Sequence, residues 1–238
     1  MRRVDGIRAV TYDCWGTLLK DHDWEGAMAR RAGALSRYLD LDEAAANDLL
    51  QEAWAKHDEA WRQVETFGPG RMASYCLEKH GIEDDEALAQ LTQEFEEASL
   101  DAGVDAVEGA LETIEALEEN NIRIGLICDT GLTPGRVVRE LLDKVGLLSH
   151  LEVHCFSDEV GVPKPGNDIF AKALAELGCR PPEAVHIGDL RRTDIAGAHD
   201  IGMHAIRFRG VHDDRSDTTD AHIVIDRHQE LLEIIGIS

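Results

Sequence analysis

Several residue types are scarce in this chain of 238 residues, and each scarcity argues against a class of protein. The five cysteines are scattered without a C-x-x-C pair, which argues against a disulfide framework and a zinc ribbon. No apolar run reaches the length of a membrane span, and the N-terminus carries two arginines but no apolar signal segment. We therefore expect a cytoplasmic protein with reduced thiols and no membrane partner.

Basic residues are also few, because 24 Lys and Arg stand against 47 Asp and Glu and leave a net charge of −23. Nucleic acids and anionic membranes would be repelled, so neither is expected as a partner. A small anionic substrate would have to be received by a local cation or a metal ion. Aromatic residues make up only 5% of the chain, so the core is expected to consist mostly of Ala, Leu, Ile and Val.

The hydrophobic pattern divides the chain into an α/β part and an inserted helical part. Strand-like runs alternate with helix-like runs after residue 103, which predicts a parallel sheet covered by helices. Apolar residues between positions 24 and 100 recur at helical spacing and predict a bundle of about four helices. We expect a Rossmann-like α/β core at 1–19 and 103–238, with an all-α domain inserted at 20–102. The strands are predicted at 7–12, 122–128, 151–156, 184–187, 204–208 and 223–225.

Chemically useful residues follow the predicted strands or lie in the loops between them. Because the carboxyl ends of parallel strands share one edge of a sheet, these residues are expected to lie close together. They offer a carboxylate nucleophile, a hydroxyl, an ammonium and two further carboxylates, and such oxygen ligands suit Mg²⁺. The residues are Asp13, Gly16, Thr17, Thr130, Gly131, Lys164, Asp189 and Asp194.

Four short segments, taken in order, resemble the motifs of the haloacid dehalogenase (HAD) superfamily of hydrolases. They are Asp13-Cys14-Trp15-Gly16-Thr17-Leu18, Thr130, Lys164, and Gly188-Asp189 with Asp194. The resemblance extends over essentially the whole chain, and it implies that the inserted helices are the cap of that family.

The resemblance also implies a role for each matching residue. Asp13 would be the nucleophile that forms a covalent aspartyl intermediate, and Thr130 and Lys164 would bind the transferring group. Asp194 would support the metal or orient Lys164. The Mg²⁺ ligands would be Asp13, the main-chain carbonyl of Trp15, and Asp189. Gly16, Thr17 and Gly131 are expected beside the substrate.

Trp15 departs from the pattern of the family phosphatases, which usually carry a second Asp at this position. That Asp protonates the leaving oxygen and later activates water, and an indole cannot do either near neutral pH. A Mg²⁺-dependent phosphatase of a small phosphorylated metabolite remains the first expectation. Its substrate would have a good leaving group, or its proton would come from Asp21, His22 or Asp23.

Three other activities stay open. A 2-haloacid dehalogenase needs no proton for its halide, and that branch carries an aromatic residue at the position of Trp15. Against it, Gly188-Asp189 is a metal-type motif, and Phe170 stands where dehalogenases tend to have Tyr. A phosphonoacetaldehyde hydrolase-like enzyme would need a Schiff-base lysine, for which the candidates are Lys20, Lys56 and Lys79. A binding or regulatory protein with weak residual activity is the fourth possibility.

Other polar and aromatic residues of the helical segment are expected to be structural. Trp54 and Trp61 fit the apolar stripe of a bundle. The arginines of this segment are expected to be solvated. They are Arg30, Arg31, Arg62 and Arg71. The sequence leaves the oligomeric state undetermined.

Overall fold

The computed structural model describes residues 3–237 and divides the chain into two compact units. The sheet unit contains the chain up to Lys20, Asp105–Asp129, and the chain from Leu142 onward. The helical unit contains Asp21–Val104 together with Thr130–Leu141. The domain limits predicted from the sequence, 1–19 with 103–238 and 20–102, stay a prediction. Within the described residues, no helix is long and apolar enough to cross a membrane.

The sheet unit is built on six parallel strands, which confirms the predicted parallel α/β fold. They are β1 (Ala9–Tyr12), β4 (Arg123–Cys128), β5 (Val153–Phe156), β6 (Ala184–Gly188), β7 (His204–Phe208) and β8 (Ile223–Ile225). Their order across the sheet is β5-β4-β1-β6-β7-β8. The central strand β1 is buried at every position, which is typical of a parallel strand covered on both faces.

Five helices belong entirely to the sheet unit, and α8 packs against β4 and β5. One core cluster of this unit joins β4 and β5 to α8 through Ile127, Cys155, Phe170 and Leu177, all of them fully buried. The five helices are α5 (Ala110–Glu119), α7 (Ser157–Val160), α8 (Asn167–Leu177), α9 (Ala196–Ile201) and α10 (Glu230–Ile235). Single 3₁₀ turns precede β5 and β6, at Leu148–His150 and Pro181–Glu183.

The helical unit contains the four helices that the apolar spacing predicts. They are α1 (Trp24–Leu39), α2 (Glu43–Arg62), α3 (Pro69–Lys79) and α4 (Asp85–Ala102). Aspartates at 23, 42 and 84 accept hydrogen bonds from the first turns of α1, α2 and α4, as preferred N-cap residues do. The core is formed by side chains such as Leu50, Met72 and Phe95, and Leu132 joins it from the second segment of the unit. Helix α6 (Gly135–Lys144) begins in that segment.

Arg31 is fully buried between α1 and α4, so the prediction that it is solvated is wrong. Its Nε donates to the Phe95 carbonyl at 2.8 Å, and its terminal nitrogen NH2 donates to Ser99 Oγ at 2.9 Å. Burial lowers the pKa of Arg31 to about 10, against the attraction of Asp21. The other three arginines of that prediction are exposed, as expected.

Two short strands that the sequence pattern does not reveal form a separate two-stranded sheet. They are β2 (Leu19–Asp21) and β3 (Val104–Ala106), and the chain passes between the two units within them. Each strand has only three residues, which is too few for a periodicity of two to be recognised.

Candidate active site

Asp13 lies at the carboxyl end of the central strand of the sheet. Strand β1 pairs with β4 on one side and with β6 on the other, and Tyr12 lies opposite Leu126 and Ile187. The Asp13 amide continues this pairing by donating to the Ile187 carbonyl at 2.8 Å. Since β4 ends next to Asp129 and β6 next to Asp189, the sheet gathers three carboxylates at one edge.

Lys164 supplies the cation of this edge, and its side chain is only 2% exposed. Nζ donates to Asp13 Oδ1 at 2.5 Å, to Asp194 Oδ1 at 2.7 Å and to the Ile127 carbonyl at 3.0 Å, which uses all three of its hydrogens. Its main-chain amide donates to Asp129 Oδ1 at 2.8 Å. The lysine is therefore held at both ends, and the peptide bond to Pro165 is cis.

The lysine stays charged in this setting because of its carboxylate neighbours. Burial alone would lower the pKa of Lys164, but Asp13, Asp194 and Asp129 raise it well above its ordinary value. Burial likewise acts to raise the pKa of Asp194, yet Lys164 and His186 hold it below the ordinary range of a carboxyl group. Lys164 and Asp194 therefore form a buried pair of opposite charges beside Asp13.

Asp194 is oriented by three donors. Its Oδ1 accepts from Lys164 and lies 3.2 Å from His186 Nε2, and its Oδ2 accepts from the Leu190 amide at 2.9 Å. The sequence predicts an α-helix from Thr193, but residues 191–195 form a π-helical turn before α9. A wider turn of this kind is common at functional sites. Here it places the Asp194 side chain against Gly188, the last residue of β6.

Two glycines are required by the close approach of the acidic side chains. A Cβ at Gly188 would lie 2.2 Å from Asp194 Cγ, and a Cβ at Gly16 would lie 2.9 Å from Asp189 Oδ2. Gly16 also has φ of +77°, a left-handed conformation that disfavours other residues. Any larger residue at 16 or 188 would push a carboxylate out of the cluster.

Asp13, Asp189 and Asp194 form a buried cluster in which one carboxylate oxygen of each lies within 4.8 Å of the others. Burial raises the pKa of Asp189, and the charges of Asp13 and Asp194 raise it further. Burial also raises the pKa of Asp13, although Lys164 opposes this. With all three carboxyl groups ionised, the cluster would have more negative charge than the ammonium of Lys164 can balance, and a hard cation would fit its oxygen donors.

The turn after Asp13 is fixed by hydrogen bonds from its own residues and from the far end of the chain. The amides of Leu18 and Leu19 both donate to the Cys14 carbonyl at 2.8 Å. His228 Nε2 donates to the Thr17 carbonyl at 2.9 Å, and the His228 ring stacks on Phe208. This turn contains Trp15, Gly16 and Thr17, all of them predicted site residues.

Thr130 and Gly131 belong to the helical unit, whereas the other predicted site residues belong to the sheet unit. Thr130 is almost fully buried and directly follows Asp129 in the chain. Gly131 packs against α2, since a Cβ there would lie 3.3 Å from His57 Nε2 and 3.4 Å from the Trp54 ring. The structure therefore brings together Asp13, Gly16, Lys164, Asp189 and Asp194, and it places Thr130 and Gly131 beside the aromatic side chains of α2.

Three residues that hold this site together had no role in the sequence prediction. Asp129 lies in the Asp-Thr-Gly segment after the predicted strand 122–128, and in the structure its Oδ1 accepts from the Lys164 amide. His186 lies within β6, and its two ring nitrogens contact Asp194 Oδ1 and Thr11 Oγ1. Contacts between separate strands and loops produce no recognisable sequence pattern. His228 acts on a residue 211 positions away, and such a contact has no sequence signal.

Comparison with known proteins identifies relatives that are named as phosphatases. Over 129 residues the chain is 35% identical to glyceraldehyde 3-phosphate phosphatase of Methanopyrus kandleri. That alignment covers 52% of this chain and 53% of the relative, so the chain spans about half the length of that relative. It is 30% identical to ribulose-1,5-bisphosphate 5-phosphatase of Halopiger xanaduensis over 211 residues, 84% of this chain and 82% of the relative.

The fold is shared with solved structures as well. A HAD phosphatase from Thermococcus onnurineus aligns with a TM-score of 0.68 at 23% identity, covering 96% of this chain and 97% of the other. The family model described as haloacid dehalogenase-like hydrolase matches residues 7–202. The chain is therefore a hydrolase of the haloacid dehalogenase-like family.

Proposed function

We propose that the protein is a Mg²⁺-dependent phosphatase of a small phosphorylated metabolite and that Asp13 forms an aspartyl-phosphate intermediate. The observation that carries the proposal is the buried cluster of Asp13, Asp189 and Asp194 around the single ammonium of Lys164. Displacement of a halide needs no such excess of carboxylates, whereas a phosphatase uses them to hold a divalent cation. The phosphatase names of the two relatives point the same way.

The donor set suits Mg²⁺, which prefers carboxylate and carbonyl oxygens and keeps several waters. Asp13, Asp189 and the main-chain carbonyl of Trp15 would hold the ion, with Asp194 beside them. Burial and then the carboxylate neighbours raise the pKa of Asp189, so its ionised form is unfavourable in the absence of a cation. A bound cation would stabilise that ionised form. When bound, Mg²⁺ would supply charge neutralisation for the phosphoryl oxygens.

The protein residues would then carry the transfer as follows. An Asp13 oxygen attacks phosphorus in line with the leaving oxygen. The bond from phosphorus to the leaving oxygen breaks, that oxygen departs with the electron pair, and a mixed anhydride forms on Asp13. Lys164 donates from a fixed position to Asp13, and its positive charge would attract the phosphoryl oxygens, while Asp194 keeps its ammonium charged and oriented. Thr130 would bind a phosphoryl oxygen through its hydroxyl, and water then hydrolyses the intermediate. The helical segment 20–102 would act as the cap that selects the substrate.

Haloacid dehalogenation is the second candidate, and Trp15 is the observation that favours it. An indole at this position cannot protonate a leaving oxygen, and a halide needs no proton. In that reaction Asp13 would attack carbon and the intermediate would be an ester.

A paired assay on the purified protein separates the two candidates. Phosphate release from acetyl phosphate and p-nitrophenyl phosphate is measured with Mg²⁺ and with EDTA, beside chloride release from 2-chloropropionate. We expect Mg²⁺-dependent phosphate release that is lost in Asp13→Asn. Chloride release that persists in EDTA and is lost in the same variant would instead establish the dehalogenase.

A further inference from the structure

Asp189 and Asp194, the two acids that follow β6, are joined by the segment 190–193. The π-helical turn Arg191–Ile195 begins within this segment, and β7 packs against that turn. A metal site depends on the groups that orient its ligands as well as on the ligands themselves. Whatever fixes the segment 190–193 therefore bears on the proposed Mg²⁺ site.

The loop between β7 and β8, residues 209–222, holds Arg191 at three points. The Arg191 amide donates to Asp214 Oδ2 at 2.7 Å, and its Nη1 donates to the Ser216 carbonyl at 2.9 Å. Its Nη2 lies 3.2 Å from Asp220 Oδ2. The main chain and the side chain of one residue are thereby tied to the same loop.

Asp220 is held from the other side by Arg207 of β7. Arg207 donates to both carboxylate oxygens, from Nε to Oδ1 at 2.6 Å and from Nη2 to Oδ2 at 3.0 Å, which is the bidentate pairing that fixes geometry best. The Nη1 of Arg207 donates to Asp213 at 3.0 Å. The Asp220 carboxylate therefore lies between two guanidinium groups that would otherwise repel each other.

The two arginines differ in how easily they could move apart. The Arg207 side chain is 3% exposed, whereas that of Arg191 is 20% exposed. A buried cation that loses its partner is costly, so removal of the Asp220 charge favours any movement that separates the two guanidinium groups. Because Arg191 is the more exposed of the two, we expect it to move, and the segment 190–193 to move with it.

We propose that Asp220 is a positioning residue of the metal site: by bridging Arg207 and Arg191, it holds the segment between Asp189 and Asp194 in its metal-binding conformation. This inference rests on the proposed Mg²⁺-dependent function. Asp220 acts through Arg191 and is not itself a metal ligand. Its loss should therefore weaken Mg²⁺ binding without removing any ligand.

A second ion pair supplies a matched control. Arg209 donates to Asp226 with the same geometry, from Nε to Oδ1 at 2.6 Å and from Nη2 to Oδ2 at 3.0 Å. Both side chains of this pair are exposed, and among the described residues no hydrogen bond or ion pair joins it to Arg191. Asp226→Asn therefore removes the same charge and an equivalent pair without loosening the segment 190–193.

The test measures Mg²⁺ binding by isothermal titration calorimetry in wild type, Asp220→Asn, Asp220→Glu and Asp226→Asn. We expect Asp220→Asn to raise the Kd for Mg²⁺ by about 3- to 30-fold. Asp220→Glu should recover part of the affinity, and Asp226→Asn should bind as wild type does. With acetyl phosphate as substrate, the Mg²⁺ concentration for half-maximal rate should rise in proportion to the Kd, while the rate at saturating Mg²⁺ returns to near the wild-type value.

Arg191→Gln tests the path from Asp220 to the metal. It removes the side-chain contacts with Ser216 and Asp220 but keeps the hydrogen bond from the main-chain amide to Asp214. If Asp220 acts through Arg191, the double variant should bind Mg²⁺ no more weakly than the weaker of the two single variants. Losses of affinity that multiply in the double variant would overturn the proposal.

The other results are equally defined. A wild-type Kd in Asp220→Asn overturns the role of Asp220, and so does an equal loss of affinity in Asp226→Asn, which would assign the effect to net charge. If wild type itself binds no Mg²⁺, the metal site of the proposed function fails first and this inference fails with it. Circular dichroism at the assay temperature checks that each variant is folded. If Asp220→Asn is unfolded, Arg191→Gln decides alone, and a wild-type Kd in that variant overturns the proposal.

Discussion

Replacing Asp189 by Asn should stabilise the metal-free protein, although it removes a predicted metal ligand. One carboxylate oxygen from each of Asp13, Asp189 and Asp194 lies within 4.8 Å of the others, and Lys164 forms ion pairs with Asp13 and Asp194. Two like charges at this distance repel by about 3 kcal/mol at an effective dielectric constant of about 20. Because Lys164 offsets part of this repulsion, we expect Asp189→Asn to raise the free energy of unfolding by about 1–3 kcal/mol in EDTA.

The size of this gain should depend on pH in a defined direction. Burial and neighbouring acids raise the pKa of Asp189 in the folded state above its unfolded value. The contribution of Asp189 to stability is therefore fully present below its unfolded-state pKa and is lost as the pH rises through the folded-state pKa. The advantage of Asp189→Asn should be larger at pH 8 than at pH 5. Urea unfolding at the two values, both in EDTA, measures it.

Magnesium should reverse the order of the two proteins. A ligand at about 100 times its Kd stabilises the folded state by about 2.7 kcal/mol, and Asp189→Asn should lack most of this gain. The matched control is Asp214→Asn. Burial acts to raise the pKa of Asp214, but the Ser216 and Arg191 amides, which donate to its carboxylate, lower it overall. This control should be less stable than wild type. A lower stability of Asp189→Asn in EDTA, with an unchanged response to Mg²⁺, would refute the reasoning.

Three further predictions concern the nucleophile, a buried histidine and a buried arginine. Asp13→Asn should lose all measurable turnover while its circular dichroism stays that of wild type, and retained turnover would remove Asp13 from the mechanism. Burial lowers the pKa of His228 to about 4, so stability should fall by about 3 kcal/mol as pH drops from 6.5 to 4, and urea unfolding of His228→Phe should show a smaller fall. Arg31→Met removes the buried hydrogen bonds to the Phe95 carbonyl and Ser99 Oγ and should cost about 1–3 kcal/mol, against less than about 1 kcal/mol for the exposed Arg37→Met. Equal unfolding midpoints in urea would contradict this.

Most of the fold could be predicted because its elements leave local patterns. Buried parallel strands are mostly apolar, and all six strands of the main sheet were located to within two residues at each end. The four helices of the inserted segment follow from apolar spacing and from breaks such as Gly68-Pro69. The short strands β2 and β3 and the π-helical turn before α9 escaped, because three to five residues show no period.

The residues of the candidate site could be predicted from the sequence, but the contacts between them could not. The sequence by itself determined that Asp13, Asp189 and Asp194 follow strands of one parallel sheet, and that topology draws strand ends together. Their roles as nucleophile and metal ligands stay predictions. Thr130 and Lys164 were also singled out from the residues themselves. The resemblance to the HAD motifs added their roles, and the family match confirms the family but not each role.

Only the tertiary structure decided which groups touch and what charge each one carries. Lys164 reaches Asp13 and Asp194 across 151 and 30 residues, and His228 reaches Thr17 across 211. Composition favoured a solvated Arg31, yet a carbonyl and a hydroxyl of α4 allow it to be buried. Periodicity reports which face of an element is apolar, whereas pKa values and hydrogen bonds depend on neighbours that the folded chain brings from elsewhere.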